Sequence, residues 1–569
     1  MLICYNQGMK KIIFLWVLLL PIGLFAQNDC RVERDKILSL LSAEMKRSFK
    51  LLKKQTPPVY YLSYTLQDQT NEDILVSNGG IGRDDIYHQG SLVVSPRVGS
   101  PQLDNTRTLK NDYTNMRMTE YPITLEVADD KVFTTILWDA TQQAVKSAQE
   151  GYSRVQADVQ ISSKRQDDSA DFVFPTKATF CQTRSFSSFD KEHIRQILLK
   201  ASKLAEGKPF ILGSNFKFSN EYGYHYFVDS IGTRIKEPFQ YVRLSYELNG
   251  QTKEGVELRR LRTYDVLQEE ELPGEEQLLA DVAQTIEELE QQINAPDGEP
   301  IAVPVILKSR AMGVFVHEVL GHRVEGHRQK DDDFGRTFTD KVGHPIIAPF
   351  ITIVDDPTLF YFNGKPLRGA YQYDSEGVKG SRATLVENGK LKGFMMSSSP
   401  IKGFPSSNGH GRSEIGYRPV ARMSNTRLIS SQTMPYEQLE QMLLEEVKKQ
   451  GKPYGVIIED ISGGFAITET FLPQVFNLSP TLMYRLYPDG RKEIVHGLNL
   501  VGTPLSSFRE VMATADDYGI FNGTCGAESG WVPVSAIAPS TLLRSMELEK
   551  ARKAPQKLPL LPPPSSEVK

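Results

Sequence analysis

The sequence has no excess of positive charge. Its 66 lysines and arginines face 70 aspartates and glutamates, which gives a formal net charge of −4. A nucleic-acid-binding surface normally needs a basic patch, so we expect no nucleic-acid partner. With 40% apolar and 24% charged residues in 569, the composition is that of a folded chain with room for more than one domain.

Long apolar runs are equally scarce. The longest extends from residue 12 to residue 25, which is short of the ~20 residues that a membrane-spanning helix needs. It follows Lys10 and Lys11 and ends at Ala26 before polar residues, the layout of a secretory signal peptide. The sequence therefore predicts a signal peptide over residues 1–26 and an exported protein, periplasmic or extracellular, without stable membrane insertion.

Cysteine is the third scarce feature. Of four cysteines, Cys4 lies in the predicted signal peptide, and the odd number that remains leaves at least one thiol without an intramolecular partner. Cys30 and Cys181 could form a disulfide. Cys525 then needs another reason to persist in an oxidising compartment, either metal ligation or burial as a small hydrophobe.

The pattern of apolar residues predicts an α+β fold. Stretches of helical spacing, after Asp35 and in the acidic stretch from residue 274 to 293, mix without strict alternation with strand-like stretches, one of them starting at Arg154. Beyond residue 300, short β-like pieces are separated by Asn-Gly and Asp-Gly turns. We predict these units: an α+β N-terminal domain (27–273), a connecting acidic helix and linker (274–300), a β-rich C-terminal domain carrying the metal-binding helix (301–550) and a Pro-rich disordered tail (551–569).

The stretch from residue 317 to 328, HEVLGHRVEGHR, places Glu318 after His317 and a second histidine, His322, five positions on. On a regular helix, positions five apart differ by about 140°, too much for both rings to reach one zinc ion. A π-type bulge, permitted by Gly321, would reduce the difference to ~40°. The motif is therefore either a distorted metal-binding helix or a chance pair of polar residues. His327 is expected to be solvated.

Several segments together resemble a known family. The run APDGEPIAVPVILKSRAMGVFVHEVLGHRVEG, which starts at Ala295, resembles the signature of the TldD/PmbA peptidases. Matching runs follow in the same order from Asp374, from Asn408 and around Cys525. Because these matches extend over most of the second half of the chain, they are far more specific than the short motif alone.

The resemblance implies a two-domain zinc metallopeptidase that acts on unfolded peptides or protein segments. Carried over by position, it implies His317 and His322 as histidine ligands of Zn²⁺, Cys525 as a thiolate ligand and Glu318 as the general base that activates a zinc-bound water. Members of the family often work with a partner subunit, so the resemblance also implies a homo- or heterodimer with a family member.

Two questions stay open at the level of sequence. His410, Arg412 and Tyr417 are candidates for substrate binding, as donors to the carbonyl oxygen of the scissile bond, although each also fits a structural role. The alternative function is a non-catalytic peptide-binding or scaffold protein of the same fold, and a purely structural zinc site is a further possibility.

Overall fold

The computed structural model describes residues 28–109, 116–125, 129–161, 167–330, 338–466 and 475–552. The predicted signal peptide and almost all of the predicted Pro-rich tail lie outside these residues. Helices and strands mix in the N-terminal part and strands dominate the C-terminal part, so the predicted α+β fold class is confirmed. Within the described ranges, no helix is long and apolar enough to cross a membrane.

The N-terminal part is one sheet with helices on one face. Its elements in chain order are β1 (Asn28–Asp29), α1 (Lys36–Leu52), β2 (Val59–Ser77), β3 (Gly80–Ser100), β4 (Leu103–Asp104), β5 (Glu120–Pro122), α2 (Asp130–Ile161), β6 (Thr179–Thr183), α3 (Lys191–Lys203), β7 (Ile211–Asp229), β8 (Arg234–Gln251), β9 (Glu257–Val266) and α4 (Glu275–Asn294). The strand order is β1-β6-β8-β7-β2-β3-β4, with β5 beside β3 and β9 beside β8.

The two faces of this sheet differ because successive side chains of a strand point to opposite sides. Even-numbered residues of β2, such as Tyr64 and Ile74, pack into the cores formed with α1 to α4. Odd-numbered residues, such as Ser63 and Gln67, line a cavity on the other side. The predicted connecting helix α4 belongs to the first face, where its apolar stripe is buried in the core with α3.

Two details of the N-terminal part bear on the sequence predictions. The helix expected after Asp35 is confirmed, and the Asp35 carboxylate caps it by accepting the backbone N–H of Leu38 at 2.9 Å. The strand expected from Arg154 is wrong, because α2 continues to Ile161. Val155 is buried whereas Ile161 is 86% exposed, so these apolar residues do not share one buried face as they would in a half-buried strand.

The cysteines near the N-terminus are joined. Cys30 and Cys181 form a disulfide with their Cα atoms 5.2 Å apart, which ties the segment before α1 to β6. Cys525 is a free, buried cysteine. The structure therefore uses two of the three cysteines beyond the predicted signal peptide for a crosslink and leaves one thiol available.

The C-terminal part is built on two sheets. Its elements in chain order are β10 (Ile301–Leu307), α5 (Ser309–Val319), α6 (His327–Lys330), β11 (Ile351–Asp355), β12 (Tyr361–Phe362), β13 (Lys365–Pro366), β14 (Ala383–Glu387), β15 (Lys390–Leu391), β16 (Gly411–Arg412), β17 (Val420–Ala421), β18 (Asn425–Ser430), β19 (Thr433–Met434), α7 (Tyr436–Lys449), β20 (Gly455–Ala466), β21 (Phe476–Leu486), β22 (Lys492–Val495), β23 (Leu498–Gly502), α8 (Pro504–Arg509), β24 (Val511–Ala515), β25 (Gly519–Ala527), β26 (Gly530–Ala538) and β27 (Thr541–Lys550).

One sheet runs β10-β20-β21-β23-β27-β24-β19, and β10 also pairs with β27, so that five of its strands close into a ring. The other runs β15-β14-β11-β18-β26-β25, which leaves β25 at an edge. The β-rich character is confirmed, but sequence reading missed α7. Its buried Leu439, Leu443 and Val447 recur at four-residue steps, a helical signal that was present.

Helix α5 lies between the two sheets and positions the site. The ring of Phe315 meets the rings of Phe476 and Phe508 edge to face, each with a centroid distance of 5.6 Å. On the side facing β26, a Cβ added at Gly313 would lie 3.0 Å from the carbonyl oxygen of Ala536, so a larger residue would push the helix away. This close packing brings the C-terminal end of α5 next to β25.

Candidate metal centre

Three potential metal ligands converge where α5 meets β25. The Cys525 sulfur lies 3.2 Å from Nε2 of His317 and 3.4 Å from Nε2 of His322. One ligand atom from each residue lies within 4.8 Å of the other two, and all three side chains are buried. The structure thus brings together the three residues that the sequence singled out as ligands, from positions about 200 residues apart.

The five-residue spacing is solved differently from our expectation of a π bulge, which is wrong. The α-helix ends at Val319, and a 3₁₀ turn follows over Gly321–Val324. The Arg323 N–H donates to the carbonyl oxygen of Leu320 at 2.8 Å in this turn. The helix is interrupted at Leu320 (φ −108°, ψ −52°), and the separate turn after it brings His322 beside His317. The two imidazole rings meet nearly perpendicular, with centroids 5.2 Å apart.

Gly321 has a steric role in this turn. A Cβ at this position would lie 2.0 Å from the sulfur of Met423, and the backbone is not in the left-handed region. The glycine therefore makes room for the Met423 side chain beneath the turn. The two glycines beside Cys525 act similarly, because a Cβ at Gly523 or Gly526 would collide with a neighbouring aromatic ring.

Glu318 borders the centre on its more accessible side. Its Oε2 lies 4.0 Å from Nε2 of His322, the atom that also faces Cys525. Its side chain keeps 12% of its surface accessible, whereas Glu325, further along the motif, keeps none. Glu318 therefore has the position that a proton acceptor beside a metal site needs, close to a ligand atom yet reachable from outside.

Glu325 forms a second layer that the sequence reading did not identify. Its carboxylate faces Nδ1 of His322 at 3.3 Å and accepts a hydrogen bond from Nε of Arg328 at 2.7 Å. Nε of Arg422, also fully buried, lies 3.5 Å away. A carboxylate behind a histidine ligand fixes the ring and its tautomer, and the three-residue spacing from His322 was the available signal.

Arg422 ties this layer to the strand that carries the thiol. Its Nη2 donates to the carbonyl oxygen of Cys525 at 2.7 Å, and its Nη1 donates to the Ser529 hydroxyl at 2.7 Å and to the carbonyl oxygen of Gly530 at 3.1 Å. The guanidinium thereby fixes the β25–β26 hairpin relative to Glu325. The buried pair of Glu325 and Arg422 therefore connects His322 to the backbone of Cys525.

The electrostatics of the cluster favour a thiolate. Burial raises the pKa of the Cys525 thiol, but the positive charges of both histidines and of Arg422 outweigh it and hold the pKa well below its usual range. Burial lowers the pKa of His322, yet Cys525 and Glu325 raise it well above its usual value. For Glu325, burial raises the pKa, but His322 and Arg328 together lower it to about 2.

The donor set fits zinc. Zn–S and Zn–N bonds of ~2.3 and ~2.05 Å in a tetrahedron place sulfur and nitrogen ~3.6 Å apart, and the two S···N distances here are 3.2 and 3.4 Å. Nε2 of His317 is the ring nitrogen that faces the cluster. Its Nδ1 is buried and, among the described residues, has no hydrogen-bond partner. Two imidazoles and a thiolate match a zinc site with one open position.

A cavity of about 510 Å³, called here the central cavity, separates the polar face of the N-terminal sheet from the C-terminal part. Thr524, the neighbour of Cys525, lines it. Because adjacent strand residues point to opposite faces, the Cys525 side chain is turned away from Thr524 and toward α5. The metal centre and the central cavity are thus separated by one strand.

The three candidate substrate-binding residues occupy different places. Arg412 and Tyr417 line the central cavity, and Arg412 also donates to the carbonyl oxygen of Pro533 at 2.8 Å. His410 is fully buried, with Nε2 3.1 Å from Asp355 and Nδ1 2.8 Å from Asn408, and it does not line the cavity. Its ring is held by these two partners in the interior of the C-terminal part.

His327 differs from its prediction as a solvated residue. It pairs with Glu528, which also accepts a hydrogen bond from Nη2 of Arg328 at 2.7 Å. The His327 side chain is 13% exposed. It extends the ion-pair layer behind His322 and is not part of the cluster formed by His317, His322 and Cys525.

Comparison with known proteins places the site in a wider group. Residues 300–550 match the model of the PmbA/TldA metallopeptidase C-terminal domain. A protein from Haemophilus influenzae named a metalloprotease TldD homologue is 31% identical over 259 residues, which are 44% of this chain and 48% of that one. A metalloprotease from Methanothermobacter thermautotrophicus is 30% identical over 242 residues, 42% of this chain and 49% of the relative.

The chain therefore spans about half the length of the curated relatives it matches. A solved structure covers more: TldE from Thermococcus kodakarensis superposes with a TM-score of 0.58 over 89% of this chain and 100% of its own, at 13% identity. At that identity the likeness concerns the fold, and at 89% coverage it extends into the N-terminal part, which the family model does not match.

Proposed function

The chain belongs to the TldD/PmbA metallopeptidase family, and from that premise we propose that it is a zinc-dependent peptidase that hydrolyses unfolded peptides or protein segments. The observation that carries the proposal is the convergence of two histidines and a thiol on one point, with Glu318 beside it. We further propose that His317, His322 and Cys525 hold the metal.

In this proposal Glu318 transfers protons, and Glu325 and Arg422 position the ligands. A zinc ion in such a site supplies a Lewis acid for carbonyl polarisation and water activation. Glu318 accepts a proton from the attacking water and then delivers it to the leaving amine. Glu325 and Arg422 keep the His322 ring and the Cys525 strand in place, which preserves the geometry that the reaction needs.

The edge strand β25 supports an extended substrate. It pairs with β26 on one side, and on the other Arg243 of β8 donates to the carbonyl oxygen of Asn522 at 2.9 Å. The stretch beyond Asn522, toward Cys525, is where an added peptide strand would run past the metal centre. Strand addition reads the backbone of an extended chain, which an unfolded peptide presents along its whole length, so unfolded peptides are the proposed substrate class.

We propose export and dimer formation on separate grounds. The Cys30–Cys181 disulfide supports an oxidising compartment, either the periplasm or the cell exterior. The structural likeness to TldE supports a fold shared within the family, and we propose a homo- or heterodimer with a family member as the working assembly. Size measurement by light scattering on a chain starting at Gln27 tests the second proposal.

The alternative function is a peptide-binding or scaffold protein of the same fold, and Glu318→Gln separates the two. We expect this change to lower hydrolysis of a fluorogenic unfolded peptide by ~10²–10⁴-fold, while zinc content and peptide binding stay unchanged. Glu437→Gln, at an exposed position of α7, is the matched control and should retain full activity. If the native protein loaded with zinc cleaves no unfolded peptide, the scaffold function replaces the peptidase.

A further inference from the structure

A second, smaller cavity of about 80 Å³ adjoins the central cavity. The two share wall residues from both halves of the molecule, which are Arg97, Thr106, Glu376, Arg418 and Pro419. His327 and Glu528, at the outer end of the ion-pair layer behind His322, line the smaller cavity. The shared wall is therefore a point where the N-terminal sheet, the C-terminal loops and the surroundings of the metal centre meet.

The arginines around this wall differ in whether a carboxylate neutralises their charge. Nη1 of Arg97 bonds Asp104 at 2.8 Å, and Nε of Arg107, in the smaller cavity, bonds Asp171 at 2.9 Å. Arg418 donates from Nη1 to the carbonyl oxygen of Thr106 at 2.8 Å. Within the described ranges of the chain, no carboxylate forms an ion pair with Arg418.

One acid that could serve as a counter-ion is already engaged. Glu376 lines the same wall, but its Oε2 accepts the backbone N–H of Ser398 at 2.6 Å. Burial, together with the like charge of Arg97, lowers the pKa of Arg418 to about 10 against the opposing effect of two aspartates. Arg418 is partly buried and forms no ion pair among the described residues, so an incoming anion would improve the compensation of its charge.

The shape of the site restricts which anion fits. The central cavity is in the size range of small-ligand pockets, ~300–1,000 Å³, so it accommodates a short stretch of peptide. Arg418 lines it together with Thr524, the residue next to Cys525. A peptide lying in the cavity therefore reaches from the guanidinium to the strand of the metal centre.

We propose that Arg418 binds a carboxylate of the substrate in the central cavity, so that the protein prefers peptides with a free C-terminal carboxylate or a nearby acidic side chain. This inference rests on the proposed peptide substrate. A planar guanidinium donates two parallel hydrogen bonds to a carboxylate, which a carboxamide cannot accept in the same way. The preference concerns binding and does not require Arg418 to touch the scissile bond.

The test measures binding to Glu318→Gln protein, so that hydrolysis does not interfere. Three versions of one unfolded peptide are compared by fluorescence anisotropy: one with a free C-terminus, one with a C-terminal amide, and an amide with one internal glutamate. We expect one or both carboxylate peptides to bind about tenfold or more tightly than the neutral amide. Which of the two binds tightly identifies the source of the carboxylate.

Variants at Arg418 assign the effect. Arg418→Gln should abolish the preference, and Arg418→Lys, which keeps the charge and guards against a folding defect, should retain part of it. Arg382→Gln removes a charge from an exposed position and should leave the preference intact. An unchanged preference in Arg418→Gln overturns the carboxylate site alone. Equal binding of all three peptides does the same, and a failure of every peptide to bind overturns the proposed peptide substrate with it.

Discussion

At the scale of single residues, Glu325 links both sides of the candidate centre although it is not itself a proposed ligand. It faces His322 from behind and pairs with Arg328 and Arg422, and Arg422 in turn holds the backbone of Cys525. Replacing its carboxylate removes the acceptor that fixes the His322 ring and leaves two buried guanidinium groups with less compensation.

We expect Glu325→Gln to weaken zinc binding by ~10–100-fold, measured by competition with a chromogenic chelator. Glu44→Gln is the matched control, because Glu44 is also a buried glutamate that accepts hydrogen bonds from Arg47 and Ser48, but in α1. Its zinc affinity should equal that of the native protein. Native zinc affinity in Glu325→Gln would show that the layer behind His322 does not position the ligand.

Single residues were predictable where a local motif or the family resemblance identified them. His317, His322, Glu318 and Cys525 were named from the sequence, and the structure brings the histidines and the cysteine together. Arg422 and Arg418 were not, because their significance depends on partners far away in the chain, the carbonyl of Cys525 in one case and the cavity wall in the other. No local pattern carries that information.

At the scale of elements, the turn after α5 decides whether the two histidines meet. Its 3₁₀ geometry is supported from below by Met423, which packs where Gly321 has no side chain. The sequence indicated that a distortion was required, but not that the helix would end before His322 and be followed by a separate turn. Met423, which lies between β17 and β18, packs against this turn in the folded protein.

Gly321→Ala should therefore disturb the centre through Met423. The added methyl group collides with the methionine sulfur, and we expect a loss of ~1–3 kcal/mol in stability together with weaker zinc binding. Thermal melting and zinc titration provide the measurements. Met423→Ala in the same chain frees the space and should restore part of the zinc affinity. Unchanged stability and zinc affinity in Gly321→Ala would contradict this role of Gly321. So would a double variant whose zinc affinity is lower than the two single changes together predict.

Helices were predicted correctly where the regularly spaced apolar residues are buried in the folded protein. The helix after Asp35 and the acidic helix α4 were predicted with their apolar stripes, which are buried as expected. The strand from Arg154 failed because alternating apolar residues at the end of α2 include the exposed Ile161, so the alternation does not reflect a buried face. Helix α7 was overlooked among neighbouring strands although its spacing is helical.

At the scale of the whole molecule, the proposed metal centre lies inside a C-terminal core that is stabilised by apolar packing. The core extends through α5 and both sheets, and Cys525 is one member of it among many. The polar face of the N-terminal sheet closes over this part and encloses the central cavity. The fold class was predictable from sequence, but the cavity was not, because it arises only when the two parts pack together.

Removal of the metal should therefore abolish peptide hydrolysis without unfolding the protein. We expect chelation to abolish peptide hydrolysis, to preserve the far-UV circular dichroism spectrum and a cooperative melt, and to lower Tm by no more than the loss of a bound ligand accounts for. Zinc added back should restore activity. Loss of the folded spectrum on chelation would instead identify a structural zinc site, on which folding itself depends.

The most direct test of the account is the zinc content of the chain from Gln27, measured by plasma mass spectrometry beside His322→Ala and Cys525→Ser. We predict close to one zinc per chain in the native protein and its loss in both variants, each checked for a native circular dichroism spectrum. Zinc that is absent from the native protein, or retained when Cys525 is changed, would contradict the assignment of these three side chains as the metal site.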